Sequence, residues 1–279
     1  MQRCNSSWLD RCRQANISPS AVLVGLALIW PALTGAAHAA SAPDGPCPRA
    51  GSLGTSRILG LDAATTPRVG LKSFSETLPL ADHEVVLTFD DGPWPATTSR
   101  VLAALARECV HATFFLIGRN ASAHPELARR IASEGHTIGT HTWSHPSLKR
   151  IKPAAAIAEI DHGISAVESA LRGTATPIAP FFRFPGFEST PATLDLLQSR
   201  GIVVFGADLW ASDWNRMTPK QELQLISERL AAAGKGIILF HDTKAQTAAM
   251  LPAFLRYLRD NGYHIVHVKP ARAAAAGGH

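Results

Sequence analysis

Val85-Val86-Leu87-Thr88-Phe89-Asp90-Asp91-Gly92-Pro93 is an apolar run that stops at two carboxylates and a Gly-Pro turn. A strand buried on both faces reads as a continuous β-rich run of this kind. The C-terminal mouth of parallel strands is where α/β folds place their chemistry. Two adjacent acids at such a mouth repel each other unless a cation or a proton lies between them. A surface Asp-Asp-Gly turn would look the same locally, so the rest of the chain has to decide.

Downstream, strand-like runs alternate with helical patterns. The strands are expected over 84–89, 112–117, 137–139, 181–184, 202–206, 236–240 and 264–268. The helices are expected over 97–109, 125–134, 154–171, 191–199, 219–233 and 247–260. Thr190-Pro191 and Thr218-Pro219 place a capping hydroxyl before a first-turn proline, and Gln221 completes a capping box with Thr218. Gly201, Gly234 and Gly262 stand where helices should stop. Ile157, Ile160, Ile164, Val167 and Leu171 recur at three- and four-residue spacings, which predicts one buried helical stripe. Strand–helix alternation on this scale implies parallel strands with right-handed crossovers. Seven units are one short of the eightfold barrel. The expected fold is a closed or nearly closed β/α barrel, with an open doubly wound sheet as the alternative.

The chain has 279 residues, 46% of them hydrophobic, enough for one large core. Arg3, Arg11 and Arg13 precede an uncharged apolar run from Ala21 to Leu33, and Ala37-His38-Ala39 and Ala40-Ser41-Ala42 offer small-residue cleavage sites. This is the layout of a secretory signal peptide over 1–39. The apolar run is short for a bilayer span, so the expected location is outside the cytoplasm, periplasmic or secreted, with no membrane insertion after cleavage. An uncleaved anchor is the alternative. Residues 40–81 read as a linker and N-terminal strap, 82–270 as a single catalytic domain, and 271–279 as a disordered tail. The net charge of +5 is spread along the chain without a basic stripe, which argues against nucleic acid. Cys4 and Cys12 would leave with the signal. Cys47 and Cys109 would remain, and whether they pair is left open.

Five polar clusters fall at expected strand ends. Asp90-Asp91 is the first. His141-Thr142-Trp143-Ser144-His145-Pro146 places two histidines four apart, able to converge on one metal. With a carboxylate they form a three-ligand site that leaves a position open, as catalytic zinc requires. Arg183 is embedded in Phe181-Phe182-Arg183-Phe184-Pro185-Gly186-Phe187; it cannot shed its charge there and calls for a carboxylate. Asp208-Leu209-Trp210-Ala211-Ser212-Asp213-Trp214 mixes acids with indoles, a composition suited to sugar stacking or to packing. Ile238-Leu239-Phe240-His241-Asp242 again ends a buried run in ionisable groups.

In this order, Thr-Phe-Asp-Asp-Gly-Pro, His-Thr-x-x-His-Pro, Arg-x-Pro, Asp-Trp and Leu-x-His-Asp resemble the five motifs of the polysaccharide deacetylase family, the NodB-homology or carbohydrate esterase family 4 domain. The resemblance runs from about Glu84 to Val268 and implies a distorted (β/α)7 barrel. It implies that Asp90 is the general base and that Asp91, His141 and His145 hold a divalent metal, zinc in most members, with cobalt or nickel as alternatives. Arg183 would hold Asp90, and Asp213 would orient and charge His241, the general acid. Trp214 and Leu239 would line the groove for the acetyl group. The third motif usually reads Arg-Pro-Pro-Tyr-Gly; here it is Arg183-Phe184-Pro185-Gly186-Phe187, so the backbone N–H of Gly186 replaces that of the tyrosine at the oxyanion position.

The implied activity is hydrolysis of N-acetyl groups on N-acetylglucosamine-containing glycans: chitooligosaccharide, peptidoglycan or poly-N-acetylglucosamine. Alternatives are an O-acetyl esterase on a polysaccharide such as xylan and a non-catalytic glycan-binding module. A serine hydrolase is rejected, because Ser144 lacks a Gly-x-Ser-x-Gly elbow. The expected partner is the acetylated glycan; the sequence points to no protein partner.

Overall fold

The computed structural model describes residues 49–271. The expected signal, the start of the strap and the tail beyond Ala271 lie outside the described residues. Ten strands appear among them: β1 (Arg57–Leu61), β2 (Arg68–Val69), β3 (Glu84–Asp90), β4 (Thr113–Leu116), β5 (Thr137–Thr140), β6 (Phe181–Phe182), β7 (Val203–Phe205), β8 (Leu209–Trp210), β9 (Gly236–His241) and β10 (His264–Pro270). The helices are α1 (Pro95–Arg107), α2 (Gly118–Ala123), α3 (Pro125–Ser133), α4 (Pro153–Ala170), α5 (Pro191–Ser199), α6 (Pro219–Ala233) and α7 (Ala245–Asp260).

The paired strands are all parallel. They run β8–β9–β3–β4–β5–β6–β7–β2, while β10 joins the start of β3 and carries β1 on its outer edge. Among the described residues no ladder joins β7 to β8, so the cylinder is distorted and unzipped at that seam. All seven expected strands are present. β8 and the short helix α2 were not expected, because two- and six-residue elements carry no measurable periodicity.

Alternation along the strands divides the core in two. Val86, Phe115, Phe181, Phe205 and Ile237 fill the barrel interior. Val85, Leu87, Phe89, Phe114, Ile238 and Phe240 face the helices. The strap is more than a linker: β1 and β2 extend the sheet, and Leu61, Val69, Leu78 and Leu80 are buried in the interior cluster. Asp208 fastens it, accepting from Leu71 N–H, the Thr77 hydroxyl and Ile237 N–H at 2.8 Å each. Arg57 grips Glu84 from β1 with two bonds of 2.6–2.7 Å, and that contact holds the Glu84 carboxyl down at about 2.

Thr190 and Thr218 both form capping boxes, and Gly234 closes α6 in the left-handed conformation at φ 76°. The stripe on α4 needs one correction. Ile160, Val167 and Leu171 are buried, but Ile157 is 37% exposed. The buried face instead runs through Ala156, Ile160, Gly163 and Val167, and glycine at 163 brings the helix close to the loop that follows β5. Cys109, where α1 leads toward β4, is disulfide-bonded, and its partner lies outside the described residues. No helix among the described residues is long and apolar enough to cross a membrane.

Candidate active site

The five clusters meet at the C-terminal ends of the strands. Asp90 ends β3 beside His241, the last residue of β9. Asp90 is buried, and its Oδ1 accepts from Arg183 Nη1 at 2.7 Å. Arg183 has no exposed surface. It also donates to Thr88 Oγ1 at 2.8 Å and to the Gly206 carbonyl at 2.7 Å, and its guanidinium lies 4.4 Å from the centre of the Phe115 ring. Burial pushes the Asp90 carboxyl up, and the Arg183 guanidinium counters it.

Asp91 turns away from Asp90 through a left-handed conformation at φ 77°. Its Oδ1 lies 3.4 Å from His145 Nε2 and 3.7 Å from His141 Nε2, and it is buried without a hydrogen-bond partner among the described residues. Two ligands on a tetrahedral zinc, each about 2.0–2.1 Å from it, stand about 3.3–3.4 Å apart. The donor set and its spacing therefore fit a divalent ion. His141 is prepared for it: its Nδ1–H donates to the Arg183 carbonyl at 2.6 Å, leaving the Nε2 lone pair free. Burial depresses His141 to about 3, so the ring is neutral, as a ligand must be.

Helix α4 backs the histidine loop. Glu159 accepts from Ser144 N–H at 2.9 Å and from Ser144 Oγ at 2.8 Å, so that hydroxyl is committed to structure. Trp143 N–H donates to the Glu159 carbonyl at 3.0 Å, and its ring stacks on His162 at 3.8 Å. At Gly163 a Cβ would stand 2.8 Å from the Thr142 carbonyl oxygen, which only glycine avoids. Thr142 and His145 both adopt positive φ, at 66° and 65°. The strained loop is held from outside.

His241 is the opposite pole. Burial alone would depress it. The Nδ1 hydrogen bond to Asp213 Oδ1 at 2.7 Å, with the charges of Asp213, Asp91 and Asp90, raises it to about 9. It is therefore protonated at neutral pH. Asp213 Oδ2 accepts from His241 N–H at 2.7 Å and lies 2.8 Å from the Thr247 hydroxyl.

Behind Thr247 stands a carboxyl the sequence did not announce. Thr247 Oγ1 is 2.8 Å from both Asp213 Oδ2 and Glu222 Oε1. One hydroxyl proton cannot serve two carboxylates, so one of the acids carries a proton. Burial pushes Glu222 up to about 7, whereas Asp213 already accepts from the cationic His241. Glu222 is the neutral member; it donates to Thr247, which donates to Asp213. In the sequence it stands in the first turn of an amphipathic helix, where acids are common as dipole partners, and nothing there distinguishes it. Asp242 is likewise pushed by burial to about 7, bonds the Thr98 hydroxyl, and packs against Gly92, leaving no room for a side chain at that position.

The remaining expected residues fall around this centre. Trp214 is 48% exposed and meets the His241 ring edge-on at 6.0 Å, and Trp210 and Phe187 continue the aromatic wall. Leu239 is buried, two residues before His241 on β9, on the strand face that carries Thr88 and Asp90 opposite. Gly186 is exposed on a 3₁₀ turn after Arg183, with φ 58°.

A family model described as polysaccharide deacetylase matches residues 78–205. The chain is 35% identical over 162 residues to a chitooligosaccharide deacetylase of Rhizobium leguminosarum bv. trifolii, covering 58% of this chain and 72% of that one. It belongs to the polysaccharide deacetylase family. A second family member, the peptidoglycan-N-acetylmuramic acid deacetylase PdaC of Bacillus subtilis, is 31% identical over 69% of this chain, which spans only 39% of that protein's length. Among solved structures, the peptidoglycan deacetylase Bd3279 of Bdellovibrio bacteriovorus superposes with a TM-score of 0.71 at 30% identity, covering 81% of this chain and 62% of that one. The family model stops short of α6, β9 and α7, the elements that carry Glu222, His241 and Thr247.

Proposed function

We propose that the protein is a metal-dependent hydrolase that removes N-acetyl groups from N-acetylglucosamine-containing glycans. What carries the reading is a buried Asp90 pinned by Arg183 and a protonated His241 pinned by Asp213, standing beside one Asp-His-His donor set. Asp91, His141 and His145 would hold the divalent ion, zinc by donor type, with cobalt or nickel as alternatives. When bound, the ion supplies Lewis-acid polarisation of the acetyl carbonyl. Asp90, held by Arg183, takes the proton of the attacking water. His241, charged through Asp213, gives one to the departing amine. The Gly186 N–H serves the developing oxyanion. Trp214 holds the sugar and Leu239 closes the floor beneath the acetyl methyl. The basic start, the apolar stretch and the small-residue sites of the first 39 residues support export, so that the glycan is met outside the cytoplasm.

The test is acetate release from chitin oligomers, peptidoglycan and acetylxylan, with and without a chelator. Chelator-sensitive release from the amide-linked substrates is expected. Release from acetylxylan alone would replace the amidase reading with an O-acetyl esterase.

A further inference from the structure

Beside the donor set, a cavity of about 540 Å³ opens on Asp91 and His145 and is lined by Trp94, Arg119, Thr243 and Lys244. Among the described residues that line it Asp91 is the only acid, and its Oδ1 faces the two histidines rather than the cations. Among the described residues neither Arg119 nor Lys244 makes an ion pair. Two cations left without carboxylate partners give the cavity a positive field, which a divalent ion on Asp91 would strengthen. Trp94, 49% exposed, adds an apolar face beside them. The His241 flank differs, its wall being Trp214, Trp210 and Phe187. One side of the site suits a neutral sugar face, the other an anion with an apolar body.

We infer that the Arg119–Lys244 cavity is a subsite for a carboxylate carried by the glycan next to the sugar being deacetylated. This rests on the deacetylase reading above. A guanidinium and an ammonium both donate to carboxylate oxygens, the guanidinium in a fixed fork. The carboxylate belongs either to the neighbouring sugar itself or to a peptide attached to it, and the two sources share the same chemistry at Arg119 and Lys244. A chain of uncharged acetylated sugars leaves both cations unused.

The test compares three tetrasaccharides as substrates: chitotetraose, an N-acetylglucosamine–N-acetylmuramic acid repeat, and the same repeat bearing stem peptides. For the wild type, kcat/KM should favour at least one anionic substrate over chitotetraose by about tenfold, the scale of charge-assisted hydrogen bonds at a half-open rim. In Arg119→Ala/Lys244→Ala that ratio should collapse towards one. Preference for the bare repeat alone assigns the sugar carboxylate, which a stem peptide consumes as an amide; preference for the peptide-bearing one alone assigns the peptide, and preference for both assigns a site that takes a carboxylate from either source. No preference in the wild type, or a ratio retained in the double variant, overturns the subsite. If no glycan releases acetate, the deacetylase reading fails by itself. Calorimetric binding of the anionic tetrasaccharides then decides the subsite: about tenfold weaker binding by the double variant upholds it, and equal binding overturns it.

Discussion

Asp90 and Asp91 are adjacent in sequence, yet the left-handed turn at Asp91 sends one to Arg183 and the other to the histidines. Substitution should separate them. Asp90→Asn should keep its metal, measured by elemental analysis, while kcat falls about 10²–10⁴-fold, because an amide cannot accept the proton. Loss of metal in that variant would mean the two aspartates are assigned in reverse. Proton counting around Thr247 makes a second claim. Glu222→Gln keeps a donor toward Thr247 and should leave kcat within about threefold, whereas Thr247→Val strands two buried carboxyls and should lower it about tenfold. A Gln variant as impaired as the Val variant would refute the neutral Glu222. The site was legible where chemistry ends a strand: Asp90 and His241 each follow an apolar run, and His141 opens a loop with a second histidine four residues on. Glu222 and Thr247 were not, since their meaning comes from two helices packing together.

At the scale of elements, α4 does for the histidine loop what no residue of the loop does for itself. Glu159 satisfies the Ser144 N–H and hydroxyl, and Gly163 lets the helix approach the Thr142 carbonyl. Gly163→Val should therefore push the loop outward and weaken binding of a divalent metal about tenfold or more, as loss of outer support typically does. Competition with a chelating dye measures it, and circular dichroism checks that the fold remains. The helix itself was readable from its apolar period. Its rotation was not: a stripe of isoleucines pointed to Ile157, while close approach through Ala156 and Gly163 turned that residue outward. Periodicity reports hydrophobicity, whereas small residues report distance.

Across the whole molecule, the end of the barrel remote from the site carries its own titration. His136 and His267 are buried among β4, β5 and β10; burial holds His136 well below its ordinary value and His267 at about 3. His267 bonds the Thr137 hydroxyl at 2.9 Å, and the His111 ring lies 5.3 Å away. A depressed folded value gives stability that is complete above about 6.5 and lost as pH falls towards 3. Glu222 and Asp242, raised to about 7, act in the opposite sense over the same range. The net slope therefore hides the histidines, and a variant exposes them. The stability gap between wild type and His267→Gln, from urea midpoints, should narrow by about 1.4 kcal/mol per unit as pH falls from 6.5 to 4.5. A constant gap would show that His267 titrates normally. The strap was the least legible part at this scale. Its strands are short and aperiodic, and only the long-range partner β10 makes β1 a strand.

That pairing also bears on the order in which the chain can be assembled. Arg57 sits across from Val266 and Leu61 from Pro270, so the first strand of the sheet waits for the last. The central strand β3, made early, takes β4 within a few turns of chain but must wait for β9 and β10. Contacts this distant in sequence slow folding and leave apolar edges uncovered until late. A ribosome or an export channel that releases residues one at a time therefore delivers a barrel that can close only when its final strand arrives.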